Sequence, residues 1–386
     1  MDVERFGPTF PGSLVPIAGL QPDWAFVPNK IPRDLELPSD LVFLLVEAHQ
    51  ALARLDGAGR YLPANSILLR PLQQREAIRS SALEGTFATA EELLVYGLEP
   101  KAPTSSTDPV NAWREVFNYD EALKLGQSLL TKLPLSSRVI RRLHATLLDR
   151  VRGTDRTPGA FRTHQVHIGS DKRFIPPPPN RIDELITDLE NYMNESVAVD
   201  CLVQSFIAHY QFETIHPFLD GNGRVGRVLL SLMIFKRCGL QSPWLYLSPF
   251  FDKHKDEYID CLFNVSTQGN WAAWVKLCLR GTIAEATNAL ARIDKLLKIK
   301  ARYDEKLASH PRSSARLNNI VAYLLGSPLT TVPDLAKRFS ITFPTAKNDM
   351  EKLIALKIVR ESPRDTKPKY YIAREFFQAA YSESES

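Results

Sequence analysis

A chain of 386 residues with 44% hydrophobic and 24% charged composition can bury a sizeable core and form two or three domains. Lysine plus arginine (48) nearly balances aspartate plus glutamate (44), so the net charge of +4 makes no case for a nucleic-acid or membrane partner beyond a local basic patch. No window approaches the roughly 18 apolar residues of a membrane span, and the opening MDVERFGPTF has no apolar signal core, so a cytoplasmic protein is expected.

Residues 1 to about 35, rich in proline and aromatics, show neither helical nor strand period and read as an extended wrap. From Ser39 the run LVFLLVEAHQALARL is apolar at helical spacing and should stop at Gly57 and Gly59. A second helix runs from about Asn65 to a glycine stop at Gly85. After a Pro/Ser/Thr loop at 101–108, helices are expected at 110–130, 136–150, 182–195, 199–212, 224–237 and 271–307. Between them, Gln165–Ile168 and Arg173–Ile175 flank Gly169-Ser170-Asp171-Lys172 as a hairpin halted by prolines. Cys201, Cys238, Cys261 and Cys278 lack C-x-x-C spacing and sit in apolar helical contexts, the pattern of buried reduced thiols in a reducing compartment. Beyond His310, helices at 315–325, 332–339 and 343–355 and a hairpin of 357–360 with 370–372 read as a winged helix-turn-helix with a frayed SESES tail.

The chemistry concentrates in His216-Pro217-Phe218-Leu219-Asp220-Gly221-Asn222-Gly223-Arg224-Val225-Gly226-Arg227, between two apolar helices. Gly221 and Gly223 at a helix start let backbone N–H groups converge as an anion nest. Arg224 and Arg227 share the first-turn face, where two guanidiniums repel each other and the helix dipole unless an anion or carboxylate joins them. Asp220 could hold a magnesium ion through one carboxylate, and His216 has the pKa to take a hydroxyl proton. Phe218 should anchor the loop in the core.

In order and spacing this stretch reproduces the signature H-x-F-x-[DE]-G-N-G-R-x-x-R, and the chain resembles the Fic (filamentation induced by cAMP) family. The resemblance implies a mainly α fold: a Fic-type helical bundle with a β-hairpin flap, an N-terminal helical module and a C-terminal winged helix. It implies a protein adenylyltransferase that moves AMP from ATP, with magnesium or manganese, to a Ser, Thr or Tyr hydroxyl of a protein, itself included. By that likeness His216 is the base, Asp220 binds the metal, Gly221, Asn222, Gly223 and Arg224 hold phosphates, and Arg227 receives the γ-phosphate. The hairpin resembles the family's target-docking flap, with Ile168, Gly169 and Phe174 as contacts, and Tyr258 resembles its adenine-pocket tyrosine.

Upstream, Ser80-Ser81-Ala82-Leu83-Glu84-Gly85 matches the family's inhibitory pattern [ST]-x-x-x-E-[GN], so Glu84 should pair bidentately with Arg227, block the γ-phosphate seat and inhibit in cis. The implied organisation is an N-terminal module at 1–108 with the inhibitory helix at about 65–85, a catalytic core at 109–308, and the winged helix and tail at 309–386. Thr345, Lys347, Asn348 and Lys352 could face a DNA groove, and Arg364, Lys367 and Lys369 could reach phosphates; DNA contact, protein docking and homodimer formation all suit such a module. Alternatives are transfer from another donor, AMP removal with Glu84 orienting water, and a non-enzymatic winged-helix regulator.

Overall fold

The computed structural model describes residues 1–17, 23–60, 65–151, 157–169, 173–310, 314–364 and 367–382. The hairpin turn Ser170–Lys172, Pro311, Asp365 and Thr366 of the 362–369 loop, and the last four residues of the tail lie outside these. The chain is mainly helical, with fifteen α-helices and five short strands among the described residues.

The first departure from expectation is at the N-terminus, where β1 (Gly12–Ile17) and β2 (Asp23–Pro28) pair antiparallel, Gly12 facing Pro28 and Ile17 facing Asp23. Ala25, Phe26 and Val27 are buried in succession, so burial on β2 does not alternate and the strand period is erased from the sequence. The Phe26 backbone N–H donates to Ile175 O at 2.9 Å, docking this hairpin on the expected flap.

Helix α1 (Ser39–Arg60) runs through Gly57 and Gly59 rather than stopping there. A Cβ at Gly59 would lie 2.6 Å from the Trp244 ring, so close approach of an aromatic, not helix termination, explains that glycine. α2 (Asn65–Leu83) ends as expected before Gly85, whose φ is 81°. α3 (Ala90–Leu98) falls in a stretch to which the sequence reading assigned nothing; Thr89 and Glu92 form a capping box at its start.

The expected middle helices appear as α4 (Val110–Leu130), α5 (Ser137–Leu147), α6 (Ile182–Asn194), α7 (Cys201–Ile215) and α8 (Asn222–Arg237); then, after the short and unanticipated α9 (Ser248–Lys253), come α10 (Lys255–Gln268) and α11 (Trp271–Ala308). α7 is apolar around almost its whole circumference and buried along almost all its length, as a central helix must be. It packs against α6, α8 and α11, while α8 packs on α4 and α5. The turn joining α7 to α8, residues 216–221, is thereby held between two buried central helices. The ends of this helical hairpin meet: Cys201 and Cys238 form a disulfide, with Cα atoms 5.4 Å apart. This corrects the expectation of four reduced thiols, since antiparallel packing joins positions 37 residues apart; Cys261 and Cys278 are free and buried.

Beyond residue 314 come α12 (Ala315–Gly326), β3 (Leu329–Thr331), α13 (Val332–Arg338), α14 (Phe343–Ala355), β4 (Arg360–Glu361), β5 (Tyr370–Ile372) and α15 (Arg374–Tyr381). The sheet order is β3-β5-β4, all antiparallel. β3 and α15 had not been anticipated. These elements lean on α2 and α3. A Cβ at Gly326 would lie 2.5 Å from Ile67 O, the Tyr381 hydroxyl bonds Gln74, and Arg364 Nε meets Glu91 Oε1 at 2.8 Å. Among the described residues no helix is long and apolar enough to cross a membrane.

Candidate active site

His216 closes α7 in the left-handed region (φ 50°, ψ 59°), which turns the chain out of the helix and the imidazole toward a cavity of about 300 Å³. Its Nδ1 lies 3.2 Å from Glu213 O. A carbonyl only accepts, so Nδ1 carries the proton and Nε2 keeps its lone pair. Burial, helped by Arg162 and opposed by the Glu213 carbonyl and Glu84, pulls its pKa to about 4, so the ring is neutral near pH 7.

The loop after His216 is fastened at several points. Phe218 is fully buried and stacks on His144 with centroids 3.7 Å apart. Gly159 N–H donates to His144 Nδ1 at 2.8 Å, so Nε2 must donate to Asp220 O at 3.0 Å. The Asn222 amide is consumed inside the loop, with Oδ1 accepting from Phe218 N at 2.8 Å and Nδ2 donating to Phe218 O at 2.9 Å. Its side chain therefore closes the turn, leaving only its backbone for an anion. Gly221, at φ 75°, takes the left-handed turn that starts α8. Asp220 is 34% exposed; Oδ1 accepts from Gly221 N at 2.8 Å and Oδ2 lies 3.9 Å from Arg224.

Both arginines are buried. Arg224 Nη1 donates to Glu115 Oε2 at 3.2 Å, while its Nε is buried without a hydrogen-bond partner among the described residues. Arg227 Nη2 meets Glu84 Oε1 at 2.7 Å. The expected bidentate pair is not formed, because Ser80 occupies the other edge of the guanidinium: Nε donates to Ser80 Oγ at 2.8 Å and Nη2 to Ser80 O at 2.9 Å. Burial opposes ionisation of Glu84, but Arg227, with Arg224 and His216, outweighs it and holds the carboxyl below its ordinary range. Arg227 is pushed above its ordinary range by Glu84, Tyr258 and Glu213 against the cost of burial. A Cβ at Gly223 would lie 2.2 Å from Glu84 Oε1, so the carboxylate rests directly on the glycine nest.

Glu84, His216, Gly223, Arg227 and Tyr258 line the same cavity, together with Ile168, Gly169 and Phe174. Ile168 and Phe174 exchange backbone hydrogen bonds at 2.8 and 3.2 Å, so the expected hairpin closes through one bridging pair. The Tyr258 hydroxyl bonds His209 Nε2 at 2.9 Å; since His209 Nδ1 faces Gly226 O at 3.1 Å, the hydroxyl donates.

Several supports escaped the sequence reading. Glu115 on α4 neutralises Arg224, and Lys255 Nζ donates to Leu83 O at 2.8 Å, holding the last turn of α2. Glu76 on α2 accepts from Tyr119 at 2.8 Å and from Ser248 N at 3.0 Å. Arg162, 3% exposed, donates to His216 O at 2.8 Å and to His164 O at 3.1 Å, tying the base of the flap to the loop. Nothing local marks these residues as partners; His144, two helices away from its ring partner, is likewise invisible in sequence.

A neutral imidazole with a free nitrogen, a glycine nest, an unpartnered guanidinium nitrogen and an adjacent carboxylate suit transfer of a phosphorus group to a hydroxyl. A model described as the Fic/DOC family N-terminal region matches residues 42–128, and the Fic/DOC family model matches residues 134–234. The chain is 30% identical over 180 residues to protein adenylyltransferase Fic of Drosophila willistoni, covering 45% of this chain and 34% of that one. It is 35% identical over 127 residues to protein adenylyltransferase fic-1 of Caenorhabditis elegans, covering 32% and 24%. The chain thus spans about a third or less of the length of these curated relatives. In fold it resembles a Fic family protein from Desulfovibrio desulfuricans (TM-score 0.54, 19% identity, 88% and 97% covered) and Fic-1 from C. elegans (TM-score 0.54, 21%, 66% and 74%). With both domain models matched in succession and the complete signature at the turn between α7 and α8, residues 42–234 carry the Fic/DOC family N-terminal and Fic domains.

Proposed function

We propose that the chain transfers AMP from magnesium-bound ATP to a protein hydroxyl, releasing pyrophosphate, and that Glu84 restrains it in cis. The observation that carries this reading is the Glu84 carboxylate lying against Gly223 and Arg227 in the cavity that His216 faces. That seat suits the γ-phosphate. The backbone of Gly221, Asn222 and Gly223 would hold the inner phosphates, and the unpartnered Arg224 Nε is available to them. Asp220 would hold magnesium or manganese, which supplies charge neutralisation on the phosphates. His216 Nε2 takes the proton as the target oxygen bonds to the α-phosphorus and the bond to pyrophosphate breaks.

The names of the relatives, protein adenylyltransferases, support AMP as the transferred group and protein as the acceptor. Ile168, Gly169 and Phe174 would present the target segment, and Tyr258 would border the adenine. We assign a helical module to 1–108, the catalytic core to 109–308 and a winged helix to 309–386. The helix, strand, two helices and hairpin that follow residue 314 support the last assignment. The test is incorporation of label from α-labelled ATP by wild type, Glu84→Gly and Glu84→Gly with His216→Ala. Strong labelling by the single variant alone supports both the transfer and the restraint; labelling only from γ-labelled ATP or another nucleotide overturns the donor.

A further inference from the structure

On the side of the α7–α8 hairpin away from its loop, four metal-ligating side chains from three helical elements converge. Asp200 caps α7 and Cys201 begins it, Cys238 follows α8, and His49 reaches across from α1. His49 Nε2 lies 2.8 Å from Asp200 Oδ2. His49, Asp200 and Cys201 place one donor atom each within 4.8 Å of one another, and Cys238 is bonded to Cys201. Asp200 Oδ1 accepts from Leu202 N at 2.9 Å, which fixes the carboxylate and leaves Oδ2 turned to the cluster. With His49 39% and Asp200 28% exposed, an ion from solvent can reach the cluster.

We propose that in the reduced protein His49, Asp200, Cys201 and Cys238 form a tetrahedral site for zinc or a similar divalent cation, tying α1 to the hairpin that carries the signature loop. Two thiolates, an imidazole and a carboxylate oxygen are a donor set that zinc accepts in four-coordinate structural sites. Bonds of about 2.0–2.3 Å place tetrahedral ligand atoms about 3.6 Å apart, so the sulfurs, once reduced, and the 2.8 Å pair of His49 and Asp200 move apart slightly, while the other pairs already lie within 4.8 Å. A phosphine or dithiol reductant supplies two electrons and is itself oxidised, while the sulfurs take up two protons. The cation then displaces both thiol protons and any proton on His49. The disulfide and the cation-bound site are alternative states of one joint. The disulfide links α7 to α8, and the cation adds α1.

The full chain is reduced with a phosphine, stripped with a chelator, desalted without oxygen and titrated with cobalt(II), then zinc(II). The expected result is one cobalt per chain with thiolate-to-cobalt charge-transfer absorption, bleached by zinc and retained in Cys261→Ser/Cys278→Ser. Unreduced protein should lack it, and Cys238→Ser and His49→Ala should each weaken binding by more than about 100-fold. Absence of the absorption from reduced wild type, or full affinity in either variant, overturns the proposal. Should reduction unfold the chain by circular dichroism, recovery of the fold on adding zinc supports the site and failure to recover overturns it.

Discussion

Replacing Glu84 with glycine removes one contact of the resting site, and its effect can be bounded from the geometry. The contact is a charge-assisted hydrogen bond of 2.7 Å to an arginine that is almost fully buried, while the carboxylate is 38% exposed. Charge-assisted bonds contribute about 1.5–3 kcal/mol, whereas exposed ion pairs fall to about 0.2–1 kcal/mol. A value between these ranges, roughly 1.4 kcal/mol, corresponds to a gain of ~10-fold in AMP transfer. On the proposed reading the gain should appear in kcat at saturating ATP, because the glycine nest would still hold the inner phosphates while Glu84 excluded the outermost. Initial rates with α-labelled ATP measure it. Raising ionic strength should narrow the gap between variant and wild type, since the carboxylate is open to screening. Equal rates within a factor of about two, with both proteins folded, would refute the argument that this pair restrains the site.

Lys255→Met removes the clamp on Leu83 O and should raise transfer about 2- to 10-fold, with no further gain when combined with Glu84→Gly; rates of the three variants check this. In the Glu84→Gly background, kcat/KM should be flat from pH 8 to about pH 5 and fall only as His216 protonates at or below about 4, since loss of Glu84 removes a charge that holds this pKa up, as a pH–rate profile will show. Burial also drives His144 and His209 down to about 3, so all three rings bind protons less readily folded than unfolded. Their stabilising contribution is complete above the ordinary value of 6.5 and is lost as pH falls from there through about 4 for His216 and about 3 for the other two, at up to about 1.4 kcal/mol per pH unit each. Glu213, raised by burial to about 8, has the opposite sign between 8 and 4.5, so urea midpoints should fall from pH 7 to 5 with a slope reduced by one proton. Gly226→Ala puts a Cβ 2.1 Å from Glu213 Oε1 and should destabilise by about 1–3 kcal/mol in urea unfolding.

The signature loop was legible in sequence because its pattern is local: the histidine, carboxylate, glycines and arginines lie within twelve consecutive residues, and the structure brings them together at one turn between α7 and α8. Glu84 was legible only as part of a pattern. Its contact with Arg227 was expected, but the Ser80 groups that make it monodentate depend on how α2 lies across α8. Glu115, Lys255 and Arg162 act through tertiary approach and leave no local trace. The glycines of α1 show the same limit, since Gly59 reads as a stop until Trp244 is seen against it. The N-terminal hairpin hid for another reason. Its buried run Ala25-Phe26-Val27 lies between strand and loop composition, and only pairing with β1 decides the matter.

The helix that ends just before Glu84 is also the floor on which the C-terminal elements rest, through Gly326 against Ile67 and Tyr381 with Gln74. One rigid element thus faces two neighbourhoods, and its position is a shared thermodynamic variable. Any ligand of the C-terminal elements that favours one placement of α2 must change the affinity of the cavity for nucleotide, and nucleotide must change the affinity for that ligand by the same factor. A ligand indifferent to the placement of α2 would leave the two sites independent, however tightly it bound.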